Sequence, residues 1–264
     1  MAGQRFFISL ILLMFWMPML GVTQSTAGIA AAAEENTNSL LSAFVAYTDL
    51  RIRSVQQSLE ILAATTEARS DNWSNMKDLL TGYQESDEGF IVWYVRPDGT
   101  YYTVDKGLMD KNLSDRIYFP DLIAGMKITG ALVISKATGQ RSAIIAVPVK
   151  VDGKVVGAVG VSLFLDKLSE QISAALNLRP GIAFFALAPN GLTTLNRKTD
   201  RHFLDPREMG SETLKRAATE MLAGTSGKTT YVYDNVTKHA IYSTSALTGW
   251  KFAIAFDEPA EEAH

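Results

Sequence analysis

One pattern, stated twice, narrows most sharply what this chain can fold into: an apolar run followed by Pro, then Asp or Asn, then Gly. Ile91 to Arg96 precedes Pro97-Asp98-Gly99, and Ile182 to Ala188 precedes Pro189-Asn190-Gly191. Short runs rich in β-branched and aromatic residues, closed by such turn residues, read as hairpin strands. After the first copy come strands over Tyr101 to Asp105, Ala131 to Lys136 and Ser142 to Val149, with Thr138-Gly139 between the last two. Asp152-Gly153 then turns into Val155 to Leu165, and a helix over Asp166 to Leu178 stops before Pro180. After the second copy comes a helix over Ser211 to Ala223, with Leu214, Ala218, Met221 and Leu222 on one side and Gly224 at its end. Strands over Thr229 to Asp234, Ala240 to Ser245 and Trp250 to Phe256 follow. Matching turn positions in two units argue for an internal duplication. The element order argues for an α+β fold, antiparallel sheets with helices on their faces.

In front of the first unit, Leu41, Val45, Thr48, Ile52, Val55, Leu59 and Leu62 recur in steps of four and three, which places them on one helix face. A helix over Asn38 to Ala68 would be roughly 45 Å long at the standard rise, enough to serve as a spine for two modules. The same stripe would also serve a homodimer as a coiled coil. A shorter helix is expected over Trp73 to Tyr83, capped by Asp71 or Asn72.

The first residues have the three parts of a secretory signal: Arg5, an apolar run from Phe6 to Leu20, and small residues ending in Ala31-Ala32-Ala33 before Glu34-Glu35. Cleavage is expected after Ala33, with Ser25-Thr26-Ala27 as the other candidate. The alternative is an uncleaved inner-membrane anchor, although the run is shorter than the roughly 20 residues of a bilayer span. A length of 264 residues suits two modules. The expected plan is therefore a signal peptide over 1–33, a spine helix over 36–70, a first module over 71–178, a second over 179–256, and an unstructured tail over 257–264. Twenty-five Lys and Arg against 28 Asp and Glu leave a net charge of −3, without the basic footprint that nucleic acid requires. The absence of cysteine excludes disulfides, thiolate nucleophiles and Cys-based zinc sites.

Catalytic patterns do not converge. The three histidines, His202, His239 and His264, have no second ligand at metal spacing such as H-E-x-x-H, and there is no G-x-S-x-G elbow. Gly224 to Thr229 has the end of a phosphate-binding loop but lies after a helix and before a strand, the reverse of the order such a loop needs, so it reads as a turn. His202, Asp205 and Arg207 read as a solvated loop. No catalytic residue, metal site or cofactor is expected, and the chain reads as a non-enzyme.

Five segments in order, Ser114-Asp115-Arg116-Ile117-Tyr118-Phe119, Gly125, Ser135-Lys136-Ala137-Thr138-Gly139, Ala146-Val147-Pro148-Val149 and Gly157-Ala158-Val159-Gly160, resemble the double Cache sensor family. The likeness runs over about Leu40 to Phe256 and is looser in the second module. It implies a long N-terminal spine helix with two PAS-like antiparallel-sheet Cache modules in tandem. It also implies an extracytoplasmic or periplasmic role in signal transduction or chemotaxis, with a small molecule held in the first module. The family's members usually continue into membrane and signalling segments. Nothing of that kind follows Phe256 here, so the sequence implies a free-standing module that acts through a partner such as a membrane histidine kinase or chemoreceptor.

In the amino-acid-binding branch of that family an arginine grips the ligand carboxylate, an aromatic two places later supports it, and two aspartates hold the ammonium. Arg116 and Tyr118 match the first two roles, while the aspartate positions fall on Ser135 and Ser162. A guanidinium offers a charge-assisted bond worth about 1.5 to 3 kcal/mol, whereas a buried ammonium without an anion costs several kcal/mol to desolvate. The resemblance therefore implies a carboxylate lacking an ammonium, or another small molecule, rather than an ordinary amino acid. Trp93 and Tyr101, on the first hairpin, are the candidate wall of the same pocket. The competing reading makes Arg116 a structural ion pair with Asp115 or Asp121. A second function class also stays open: an exported scaffold or adaptor of the same fold that binds a receptor or kinase without a small ligand.

Overall fold

A helix with one apolar stripe needs a surface to lie on, and here two antiparallel sheets provide it. The computed structural model describes residues 26–258, with side chains from Glu35 onward. The expected signal segment up to position 25 and residues 259–264 of the expected tail lie outside the described residues. Among the described residues no helix is long and apolar enough to cross a membrane.

Helix α1, Thr26–Ala63, begins earlier than expected. From Asn36 onward it buries Leu41, Thr48, Ile52, Val55, Leu59 and Leu62, with Phe44 completing the stripe and Val45 partly buried beside it. Phe44 is fully buried, edge-on to Phe184 and Phe252 with ring centroids 4.9 and 4.8 Å away. Burying such a ring contributes about 1.5 to 3 kcal/mol. The helix stops at Ala63 rather than reaching Ala68 because Thr65 diverts the backbone. Its hydroxyl donates to the Leu62 carbonyl at 2.8 Å and accepts from the Ala68 amide at 3.2 Å, capping a separate turn, α2, Thr66–Arg69. Helix α3, Trp73–Glu85, starts from Asn72, whose side chain accepts from the Ser74 amide.

The first sheet holds β1 Phe90–Val95, β2 Thr100–Thr103, β3 Gly107–Asn112, β4 Ile128–Ile134, β5 Arg141–Val151 and β6 Lys154–Phe164, in spatial order β3-β2-β1-β6-β5-β4. A short helix α4, Phe119–Ile123, lies between β3 and β4, and α5, Leu165–Leu176, leaves the sheet. The second sheet holds β7 Ile182–Leu187, β8 Thr193–Asn196, β9 Ser226–Tyr233, β10 Val236–Thr244 and β11 Lys251–Asp257, in order β8-β7-β11-β10-β9, with α6 Glu212–Ala223 between β8 and β9. Without β3, the two orders are the same. Strand β3 and helix α4 are additions to the expected elements, and β8 is the second strand of the repeated hairpin. Ser226 to Lys228, expected in a turn, are instead the first residues of β9, ahead of the expected start at Thr229.

Strand alternation assigns each sheet two roles. Phe90, Val92 and Tyr94 of β1 and Phe184 and Ala186 of β7 face the spine and share one core with it. On the opposite face of the first sheet, Trp93 and Val95 pack with Tyr101, Leu113, Tyr118 and the α4 residues Phe119 and Leu122. On the opposite face of the second, Phe185 and Leu187 pack against Leu214, Ala218 and Met221 of α6. Each outer face is thus covered by one helix and the loop attached to it, which is where a small molecule can be enclosed.

Candidate ligand hollow

Trp93 of β1, Tyr101 of β2 and Ser162 of β6 line one hollow on the outer face of the first sheet, together with Arg116, Tyr118 and Ser135 from the covering loops. All six residues named from sequence lie there. Leu113, Val133, Lys136, Ala137 and Ile144 complete the lining without having been singled out. Ile144 was readable in principle, since it pairs across the sheet with Ser162 and shares its face.

The indole of Trp93 reaches this position because Gly160 stands opposite it across β1 and β6, and a Cβ at 160 would lie 2.3 Å from the ring. Arg116 is held by a 2.7 Å bond from one terminal nitrogen to the Ile134 carbonyl, while its Nε is buried without a partner. The competing ion-pair reading is not what the geometry shows: Asp115 pairs at 2.5 Å with Lys136. The Tyr101 hydroxyl is also buried without a partner. Burial raises the phenol pKa of Tyr118 well above the ordinary range and that of Tyr101 more modestly, with the Arg116 charge opposing both shifts. Both phenols are therefore neutral donors at physiological pH. Ser135 and Ser162 are buried, and Ser135 accepts from the Thr138 amide at 3.3 Å.

The lining therefore offers two unpartnered N–H or O–H groups and two serine hydroxyls, and no carboxylate. Such a set complements an anion and gives an ammonium group no anionic partner. The hollow itself encloses only about 20 Å³, room for a water molecule. Its cover is pinned shut. Lys136 reaches the Asn112 carbonyl and Asp115, Lys111 reaches the Lys136 carbonyl at 3.2 Å, and Lys106 reaches the Ala137 carbonyl at 3.0 Å. Any ligand larger than water needs the loops around Asp115 and Lys136 to part.

The other polar sequence features have structural roles. His202, expected in a solvated loop, is buried, and its Nε2 lies 3.0 Å from the Ser169 hydroxyl of α5. Asp205 and Arg207 pair with each other at 2.6 Å on the surface. Among the described residues no group of histidines and acids is placed to hold a metal ion.

No family model matches the chain. Over 189 residues it is 27% identical to the methyl-accepting chemotaxis protein McpB of Bacillus subtilis, a match covering 69% of this chain and 26% of McpB. The chain thus spans about a quarter of that relative's length. Among solved structures, the extracellular domain assigned to the histidine kinase rpHK1S-Z16 superposes with a TM-score of 0.72 at 18% identity, covering 87% of this chain and 96% of that one. The sensory domain of the Campylobacter jejuni chemoreceptor Tlp3, with isoleucine bound, gives 0.62 at 14% identity and covers 89% and 96%. The ligand-binding domain of the Pseudomonas fluorescens chemoreceptor CtaA, in complex with L-serine, gives 0.65 at 16% and covers 88% and 98%. These neighbours are extracellular, sensory or ligand-binding domains of a histidine kinase and of chemoreceptors. The spine helix, the paired antiparallel sheets and their common strand order give this chain the fold of the Cache-type sensor domains of histidine kinases and chemoreceptors.

Proposed function

We propose that this chain is an exported, extracytoplasmic sensor of a small carboxylate, with the ligand held in the first module between the outer sheet face and the loop carrying Arg116. The observation that carries this reading is the pair of buried, unpartnered donors, Arg116 Nε and Tyr101 Oη, in a hollow lined by no acid. Leaving such groups unsatisfied costs about 1 to 3 kcal/mol each, and a carboxylate would satisfy both. Tyr118 would support the guanidinium, and the Ser135 and Ser162 hydroxyls would meet the remainder of the ligand. The neighbours with isoleucine and L-serine bound make small organic acids the natural chemistry for the fold, while the serines here favour acids without an ammonium. Opening of the lysine-pinned cover on binding would be the conformational change passed on, through the spine, to a membrane histidine kinase or chemoreceptor.

Thermal-shift measurements on the protein with acetate, lactate, pyruvate, succinate and malate, set against serine and isoleucine, test this. At least one ammonium-free acid should raise the melting temperature, and Arg116→Ala should abolish that rise. A rise that persists unchanged in Arg116→Ala, or is given by the amino acids alone, would defeat the assignment.

A further inference from the structure

The geometry points to a second binding site, in the second module, for an organic anion with an apolar body, its charged end met by Arg201. The duplication places the sheet residues of the first hollow, and Ile91 beside them, opposite counterparts. Pro97 corresponds to Pro189 in the repeated turn, which aligns Trp93 with Phe185, Ile91 with Ala183 and Tyr101 with Thr193. The sheet registers extend the match. Ile91 pairs with Ser162, and Ala183 pairs with Ala255. Ser162 in turn pairs with Ile144, and Ala255 with Ala240. At these positions the first module carries Ile, Tyr, Ser and Ile, and the second carries Ala, Thr, Ala and Ala. Of these residues Ala183 and Thr193 line a cavity of about 670 Å³ in the second module, whereas the hollow of the first, lined by the larger Tyr101, encloses about 20 Å³. That is within the range of small-molecule sites.

The walls define the occupant. Most of the lining is apolar, including Phe185, Leu204, Met209, Leu214 and Tyr231. The charged residues are Arg197, Lys198, Arg201 and Lys238 against Asp234 and Asp257. Lys238 pairs with Asp257, Lys198 lies 3.9 Å from Asp234, and Arg197 is spent on the carbonyls of Leu178, Arg179 and Ile182. Arg201 has only a long ion pair, with the exposed Asp200. Its plane lies over the Tyr233 ring at 5.6 Å, and its Nε is buried without a hydrogen-bond partner, Asp200 being 3.6 Å away. A guanidinium at the edge of an apolar cavity, oriented by an aromatic face, is suited to one carboxylate or sulfonate carried on a hydrocarbon body. The site stands independently of the first hollow, which has neither the volume nor the apolar surface for such a molecule.

Isothermal titration of the full chain with hydrocinnamate and octanoate tests the inference, with phenylpropanol and octanol as uncharged counterparts. At least one acid should bind, about 10- to 100-fold more tightly than its alcohol. Arg201→Gln should remove that difference, Ala183→Phe should obstruct the cavity and weaken binding at least about 10-fold, and Arg116→Ala should leave it unchanged. Circular dichroism confirms that each variant is folded. The proposal is overturned by the absence of heat from either acid at millimolar concentration, by equal binding of acid and alcohol, or by wild-type binding in Ala183→Phe. Binding lost in Arg116→Ala but kept in Ala183→Phe would place the ligand in the first module and overturn this site without touching that one.

Discussion

The six-membered ring of Trp93 lies directly over Gly160, the residue opposite it across β1 and β6. One side chain thereby closes the floor of the first hollow, and one missing side chain lets it do so. Introducing a methyl group at 160 forces the indole off the sheet, since a Cβ cannot sit 2.3 Å from a ring carbon. Gly160→Ala is expected to cost about 1 to 3 kcal/mol in urea unfolding and to abolish the Arg116-dependent thermal shift. Unchanged stability with unchanged ligand response would mean that the ring has room to move.

The cover of the hollow should open without unfolding the module. Lys136 ties Asn112 and Asp115 to the β4–β5 turn, but Asp115 is largely exposed, and exposed pairs are worth at most about 1 kcal/mol. Lys136→Met is therefore expected to speed amide exchange across residues 113–118 while moving global stability by less than about 1 kcal/mol. Exchange that stays as slow as in the wild type would show that the lysine is not what holds the loop.

The spine and the repeated hairpins are legible in the sequence because each follows a period. The stripe from Leu41 to Leu62 repeats at helical spacing, and Pro97-Asp98-Gly99 and Pro189-Asn190-Gly191 mark equivalent turns. Strand β3 has no such signature: it is an edge strand, Gly107-Leu108-Met109-Asp110-Lys111-Asn112, without apolar-polar alternation and with mostly exposed side chains. Helix α4 is only five residues long and enters through Pro120, too short for any periodicity to register. Of the residues of the first hollow, Trp93 and Tyr101 were findable as large aromatics on a hairpin, and Arg116, Tyr118, Ser135 and Ser162 through the family resemblance. The cavity of the second module was not, since its lining has Ala183 and Thr193 where the first unit has Ile91 and Tyr101, and these read as unremarkable strand positions until set beside them. The burial of His202 was likewise hidden, because its partner Ser169 comes from a helix 33 positions earlier.

Burial holds the His202 pKa down to about 4 from an ordinary value near 6.5, with Asp166 opposing the shift and Arg141 reinforcing it. The folded state keeps this ring neutral, so the contribution is fully present above pH 6.5. It is lost as the pH falls toward 4, where the unfolded chain binds a proton that the folded chain refuses. Between pH 7 and pH 5 the wild type is expected to lose about 1 to 2 kcal/mol from this group, and His202→Asn should lose correspondingly less over the same interval. Urea midpoints at the two pH values check it; parallel losses in both proteins would place the acid sensitivity elsewhere.

The spine is tied to both sheets by side chains, which is what a state change in one module would need to reach the other. Gln56 accepts from the Thr129 hydroxyl at 3.1 Å and Glu60 pairs with Lys127 at 2.6 Å on the first-sheet side. On the second, Asp49 accepts a 2.7 Å bond from Ser245, a residue 196 positions later whose oxygen also accepts from the Leu247 and Thr248 amides. Ser245 is buried at the end of β10, so its hydroxyl anchors the β10–β11 turn and the helix at once. Ser245→Ala should cost about 1 to 3 kcal/mol, and a double-mutant cycle with Asp49→Ala should return a coupling of about 1 kcal/mol. Strictly additive effects of the two substitutions would mean that the turn and the spine are stabilised separately, leaving only the apolar contacts around Phe44 to join them.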